Sequence, residues 1–261
     1  MELWLLNNMS TTAITAVIVG GIVALALTGS VLTHRRHPEL ADGEHNDMVG
    51  VVLGMYGAIY GIILAFVVVT LWTQMQDAET VVQDEASSLA QLTWDSQAFP
   101  PAERDRVHAA VGAYAHKVVD VQWPLMRTAK PQYTVAQHQV QELFTALQTY
   151  EPRTEGEKAF YREAIDDLNE VVAQRRARMT IARQELPGLL KALVYGGALV
   201  FVPLTFLYGI KSRRIQLLFV GSVAALIGFS LLLVVVLDHP FAGNISVGTT
   251  AFKVGPLSRF W

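Results

Sequence analysis

Four stretches of the chain are almost continuously apolar: residues 12–33, 48–72, 187–208 and 215–237. A helix of about 20 apolar residues crosses the hydrocarbon core of a bilayer. In lipid each backbone N–H and C=O must bond within its own segment, which a helix achieves. The only charged side chain in the four windows is Lys191, near the start of the third. The pattern therefore predicts an all-α membrane protein with four transmembrane helices, arranged as two hairpins.

Between the second and third spans the pattern changes from continuous to periodic. Met75, Ala78, Val82, Glu85, Leu89 and Leu92 recur in steps of three and four, the spacing of one helix face. No Gly or Pro falls between Gly61 and Pro100, so the second span is expected to run out of the membrane as one long helix. Phe99-Pro100-Pro101 ends it. Val107, Val111, Tyr114, Val118 and Val121 form a second stripe, expected to stop before Pro124. Val140, Leu143, Leu147 and Tyr150 form a third. Thr154 to Glu157 has the form of a capping box, opening a helix expected to reach Leu186. Pro187, tolerated at a helix start, opens the third span. The expected organisation is a first hairpin at residues 1–73, a soluble helical bundle at 74–186, a second hairpin at 187–237 and a tail at 238–261. Residues 246–254 alternate loosely, so the tail adds a short strand or lies on the bundle.

Charge fixes the orientation. The hairpin loops are short, HRRHPELADGEHND and GIKSRR, and lie on one side of the membrane. They carry Arg35, Arg36, Lys211, Arg213 and Arg214, whereas the first 34 residues have no Lys or Arg. Short basic loops stay in the cytoplasm, and acidic residues count for little in that rule. The middle segment and both termini are thus predicted to be extracytoplasmic. Residues 74–186 carry 12 basic and 17 acidic side chains, an acidic solvated module. The net charge of −3 gives no nucleic-acid signal. The absence of cysteine excludes disulfides and thiolate chemistry. The leader MELWLLNNMS lacks the basic residue of a cleaved signal peptide, so the first span is expected to be retained.

The second span carries the pairs Gly50/Gly54 and Gly57/Gly61, small residues four apart on nearly one face that let helices approach closely. They mark a packing face within the chain, a contact between subunits, or a pore lining. Tyr60 and Thr70 are pore candidates on the same span, with Tyr56, Tyr195 and Ser230 as further polar groups. Pro203, placed mid-way along the third span, is a hinge candidate. Lys191 can snorkel to the interface. Arg175, Arg176, Arg178 and Arg183 precede the third span and can pair with acids, contact headgroups or gather anions. Arg175 lies on the apolar stripe of its helix, which makes it the candidate for a buried ion pair. His34, His37 and His45 with Asp42, Glu44 and Asp47 offer metal-ligand atoms in the first loop, but their spacing fits no strong pattern; a solvated loop is the expectation. No buried acid marks a coupled transporter, and no nucleotide loop, nucleophile elbow or HExxH is present, so no enzyme and no cofactor are expected.

Beyond the last span the chain reads Asp238-His239-Pro240-Phe241-Ala242-Gly243. An Asp-x-Pro-Phe-x-Gly motif at this place resembles a bacterial family labelled bestrophin-like. The glycine-rich second span (GMYGAIYGIILAF, residues 54–66) and the Arg175–Arg178 run resemble that family too, over nearly the whole chain. The resemblance implies two hairpins around a helical domain in a bacterial inner membrane. It also implies kinship with bestrophins, which are oligomeric anion channels. The bestrophin calcium-binding acidic cluster and pore-neck pattern are not in this sequence, so no bestrophin residue is carried over. Asp238 is expected to cap the following turn or pair with an arginine of the middle domain, or else to form a charged ring at a pore mouth. The reading that follows is a homo-oligomeric ion-channel-like protein passing a small inorganic ion, an anion by kinship. The alternative is a non-conducting sensor or scaffold whose bundle binds a partner or ligand.

Overall fold

The computed structural model describes residues 2–261; Met1 of the leader lies outside them. Nine α-helices follow in order among the described residues: α1 (Glu2–Asn8), α2 (Thr11–Arg36), α3 (Asn46–Asp95), α4 (Pro101–His116), α5 (Trp123–Arg127), α6 (Gln137–Gln148), α7 (Glu155–Ile181), α8 (Gly188–Leu204) and α9 (Arg213–Leu237). Helices α2, α3, α8 and α9 are each long and apolar enough to span a bilayer. Two compact units result. One comprises the residues up to Thr73 together with Glu185–Asp238; the other comprises Gln74–Gln184 and His239–Trp261. The 50-residue helix α3 contributes to both.

In the membrane unit, α2 and α9 are the closely packed pair. Gly228 of α9 lies so near Val19 of α2 that an added Cβ would sit 3.1 Å from the Val19 Cα. Ala26, Val220 and Ala224 form the apolar centre of the pair. Lipid tails are as apolar as the side chains, so small residues that bring backbones together hold these helices, not a hydrophobic gain. Gly20 and Gly21 of the first span face open space; Val19 beside them makes the contact.

Helix α3 meets α8 through aromatic rings. Tyr56 stacks on Phe201 at 5.5 Å between centroids. The Tyr60 hydroxyl donates to the Val194 carbonyl at 2.7 Å and the Tyr56 hydroxyl to that of Gly197 at 3.2 Å. The Tyr60 ring occupies the space where any side chain at 197 would go.

The two hairpin loops are clamped by one side chain. Asn46 donates from Nδ2 to the Gly209 carbonyl at 2.7 Å and accepts from the Gly209 N–H at 2.8 Å. Gly43, with φ of +72°, makes the left-handed turn that leads into α3. At Gly209 an added Cβ would overlap the carbonyl oxygen of Leu40.

In the bundle unit, one apolar core gathers Leu89, Leu92, Val111, Tyr114, Leu143, Leu147, Leu168 and Met179, with Phe241, Phe252 and Leu257 from the tail. The capping box at Thr154 and Glu157 is formed in both directions. Two sequence expectations are corrected here, and the two alternatives for the tail are decided. Pro124 does not end the second stripe: residues 117–122 form a π-turn that leads directly into α5, and Pro124 stands in its first turn, where a missing N–H costs least. Helix α7 stops at Ile181, not at Leu186. The tail forms no strand; it folds as two 3₁₀ turns, Thr250–Lys253 and Gly255–Phe260, whose buried Phe252 and Leu257 join the core.

The clamp gives a direct expectation. Gly209→Ala costs about 1–3 kcal/mol through overpacking against backbone that cannot yield. Gly20→Ala, with nothing within 4 Å, leaves stability unchanged. Thermal unfolding of the two variants in detergent checks this; equal melting temperatures would refute the clamp.

Candidate functional site

The bundle core contains a charge. Glu85 of α3 and Arg178 of α7 have fully buried side chains and pair in a fork, Nε to Oε2 at 2.6 Å and one terminal nitrogen to Oε1 at 3.0 Å. Tyr114 of α4 donates to the same Oε1 at 2.6 Å. Gln122, on the π-turn, accepts from the guanidinium at 2.9 Å, and Trp123 presents its ring face 5.6 Å from the guanidinium carbon. Planar bidentate pairing with its remaining donors satisfied is the condition under which a buried ion pair is tolerated. Burial works against the Arg178 charge, but the facing Glu85 carboxylate outweighs it and lifts the pKa above the ordinary arginine value. Burial, then the Glu85 charge, pushes the Tyr114 phenol well above its usual range, so it stays a donor.

The four arginines of the sequence motif thus separate. Arg178, not Arg175, forms the buried ion pair. Arg175 is buried too, but donates to the Tyr133 carbonyl. Arg183 donates to the Pro131 carbonyl and covers the Tyr133 ring at 4.6 Å. Arg176 is exposed. Glu85, read as one member of an apolar stripe, is the partner that the stripe conceals.

A second polar feature of the bundle is a carboxyl pair. Asp95, 4% exposed, and Asp167 of α7 each keep an Oδ2 atom buried without a donor. The two carboxyls are neighbours, and like charges so placed favour a proton on one of them. Burial first, then the Asp95 neighbour and the charges of Glu163 and Asp166, pushes the Asp167 carboxyl up to about 7.

The Asp238–Gly243 motif divides its work. In the membrane unit Asp238, 2% exposed, accepts from the Leu186 N–H at 2.6 Å and pairs with Lys191 at 2.8 Å. Its cationic partner is therefore Lys191 and not an arginine. Lys191 also reaches Glu185 at 3.3 Å. Nearby on α8, the Tyr195 hydroxyl donates to Glu2 at 3.1 Å. In the bundle unit Phe241 stands edge-on to Trp123 at 5.7 Å. The Pro240 carbonyl accepts from Val247 N–H at 2.8 Å, and Gly243 takes a φ of +83° in the turn so closed. One six-residue stretch thus locks a salt bridge at the start of α8 and seats an aromatic ring beside the tryptophan that covers Arg178.

The comparisons with known proteins agree with these observations. The bestrophin-like domain family matches residues 20–252. The chain belongs to the bestrophin-like family. A crystal structure of a membrane protein shares the fold of this bestrophin-like chain, with a TM-score of 0.70 over 93% of this chain and 95% of that one at 11% identity. No curated protein matches the sequence.

The candidate pore residues of the bestrophin-like protein fall into two sets. Gly50 and Gly57, seven apart, face Tyr208 and Phe201 within the chain. Gly54 and Gly61, also seven apart, are exposed and face open space. The grouping is by sevens, not by fours. Tyr60 is buried between α3 and α8. Thr70 and Ser230 return their hydroxyls to Phe66 and Leu226 one turn back. Pro203 is not mid-span; it precedes the last residue of α8, where the helix tightens into a 3₁₀ turn over Thr205–Leu207. In the first loop His34 bonds the Ser30 carbonyl and His37 bonds Glu39, while His45 is exposed.

Two outcomes are expected. Arg178→Met alone leaves Glu85 buried without its cation and costs about 3–5 kcal/mol, whereas adding Glu85→Leu recovers most of that loss; chemical denaturation of the purified protein measures both. The Asp167 pKa is higher in the folded than in the unfolded state, so the fold holds an extra proton between about pH 4 and 7. The stability this gives is present at the acid end and lost as pH rises to about 7. Unfolding of Asp167→Asn is correspondingly flatter with pH across that window; an unchanged slope would refute the raised Asp167 pKa.

Proposed function

We propose that this chain is a homo-oligomeric, non-enzymatic channel-like protein of a bacterial inner membrane, permeable to anions. The observation that carries this reading is the unoccupied face of α3. Only 17% of its membrane window is buried within the chain, against 22% for α2 and α8 and 50% for α9. On that face Gly54 and Gly61 expose backbone with room for a close neighbour. A second copy of the chain, packing there, makes a ring in which α3 is the inner or the contact helix. Family kinship supports the anion preference. A charge-free, mainly apolar span suits a path that opens and closes by wetting.

The five basic residues of the hairpin loops support a cytoplasmic placement of those loops, with the bundle and both termini outside. The chain has no cysteine, so single cysteines report side without background. Ser87→Cys in the bundle is expected to react with an impermeant maleimide applied outside cells, and Ser212→Cys in the second loop only after lysis.

Reconstituted in liposomes, the wild type is expected to pass chloride or iodide. Gly54→Leu with Gly61→Leu is expected to reduce the flux at least tenfold or to dissociate the oligomer, a change readable by native mass spectrometry. Absence of flux across pH and salt, or a monomer with unaltered behaviour in the double variant, would sink the proposal.

A further inference from the structure

The hairpin-loop ends of α2 and α9 border an open recess of about 200 Å³ whose polar lining is Ser30, His34, Arg35, Lys211, Arg213 and Gln216, beside three apolar side chains, all within the membrane unit. Its charge is one-sided. The acids of the first loop, Glu39, Asp42, Glu44 and Asp47, do not line it. Glu39 is paired with His37 instead. Arg35, Lys211 and Arg213 have exposed side chains and enter no ion pair among the described residues. At the cavity floor Gln216 is 4% exposed, yet neither its amide nitrogen nor its amide oxygen has a partner. The same holds for Nε2 of His34, whose Nδ1 is taken by the Ser30 carbonyl.

Unmatched buried polar atoms cost free energy unless something fills the space. The first turn of α9 also lines the cavity, and the Ser212 side chain at its N-cap makes no capping bond, so no side chain competes for its amides. A 25-residue helix presents partial positive charge at this end. Three free cations, an uncapped helix N-terminus and the unpartnered, buried N–H group of the Gln216 amide describe a receptor for a small oxyanion. The Asn46–Gly209 clamp holds the two loops that carry it.

We propose that this cavity binds a phosphoryl group, at the depth where apolar span gives way to charged loop. Arg35 and Arg213 grip the phosphate oxygens, Lys211 adds charge, and the Gln216 amide donates from below. A glycerophospholipid headgroup and a free phosphate share this chemistry. Basic recesses between spans at a membrane surface suit anionic lipids.

The test uses the full-length protein in detergent. Native mass spectrometry compares retention of phosphatidylglycerol with that of phosphatidylcholine, and thermal unfolding is followed against inorganic phosphate. Two exposed pairs are exchanged: Arg35→Gln with Arg213→Gln inside the cavity, and Arg36→Gln with Arg214→Gln just outside it, an equal loss of charge. A headgroup site retains phosphatidylglycerol about tenfold better than phosphatidylcholine. The preference is then lost in the inner pair and kept in the outer pair. A free-phosphate site shows no lipid preference, but phosphate raises the melting temperature of the wild type and not of the inner pair. Gln216→Leu follows the inner pair in either case; should it fail to fold, the two exposed pairs decide alone. Neither lipid preference nor phosphate stabilisation, or equal losses in the two pairs, overturns the proposal.

Discussion

A guanidinium sealed from water must keep its carboxylate, or the fold around it cannot persist. Arg178 and Glu85 impose that condition on the bundle. They join helices α3 and α7, separated in sequence by 93 positions, and the fork geometry fixes the rotation of each helix about its own axis. Tyr114 and Gln122 then have assigned places, because the remaining lone pair and N–H need partners too. Trp123 closes over the guanidinium, and Phe241 closes over Trp123. The tail is thereby drawn into the core by a chain of contacts that starts from one charge.

The membrane unit obeys another constraint. In lipid, apolar contact between helices gains nothing over contact with lipid, so association follows from backbone approach and hydrogen bonds. Helices α2 and α9 meet where Gly228 admits Val19, and α3 meets α8 through two tyrosine hydroxyls on carbonyl oxygens. The remaining face of α3 has small residues and no neighbour within the chain.

The spans were legible in the sequence because four apolar windows of bilayer length, with a single charge among them, have few other meanings. The capping box was legible for a similar reason: Thr154 and Glu157 stand three apart and act locally. Glu85 was not. Its position in an apolar stripe placed it inside, but a periodicity carries no information about a partner on another helix. The same holds for the glycines of α3, whose sorting into Gly50 with Gly57 and Gly54 with Gly61 depends on where Phe201 and Tyr208 sit. Pro124 misled because a π-turn dispenses with the hydrogen bond that a proline removes. The tail was left open between a strand and a lie on the bundle, because loose alternation over a few residues also describes 3₁₀ turns that bury Phe252 and Leu257. Gln216 gave no signal at all: a lone amide in an apolar span reads as an ordinary polar residue until its empty surroundings are seen.

The π-turn at residues 117–122 has a further meaning for how this chain can change over evolutionary time. Such a turn is an α-helix holding one residue in excess. Removing one of the six closes the bulge into a regular helix and leaves what lies beyond it nearly in phase, whereas the same deletion within α4 would rotate everything beyond it by about 100° and swing Trp123 off the guanidinium. Along this helix the π-turn is therefore the place where lineages descending from this chain can shed a residue and keep the charge covered.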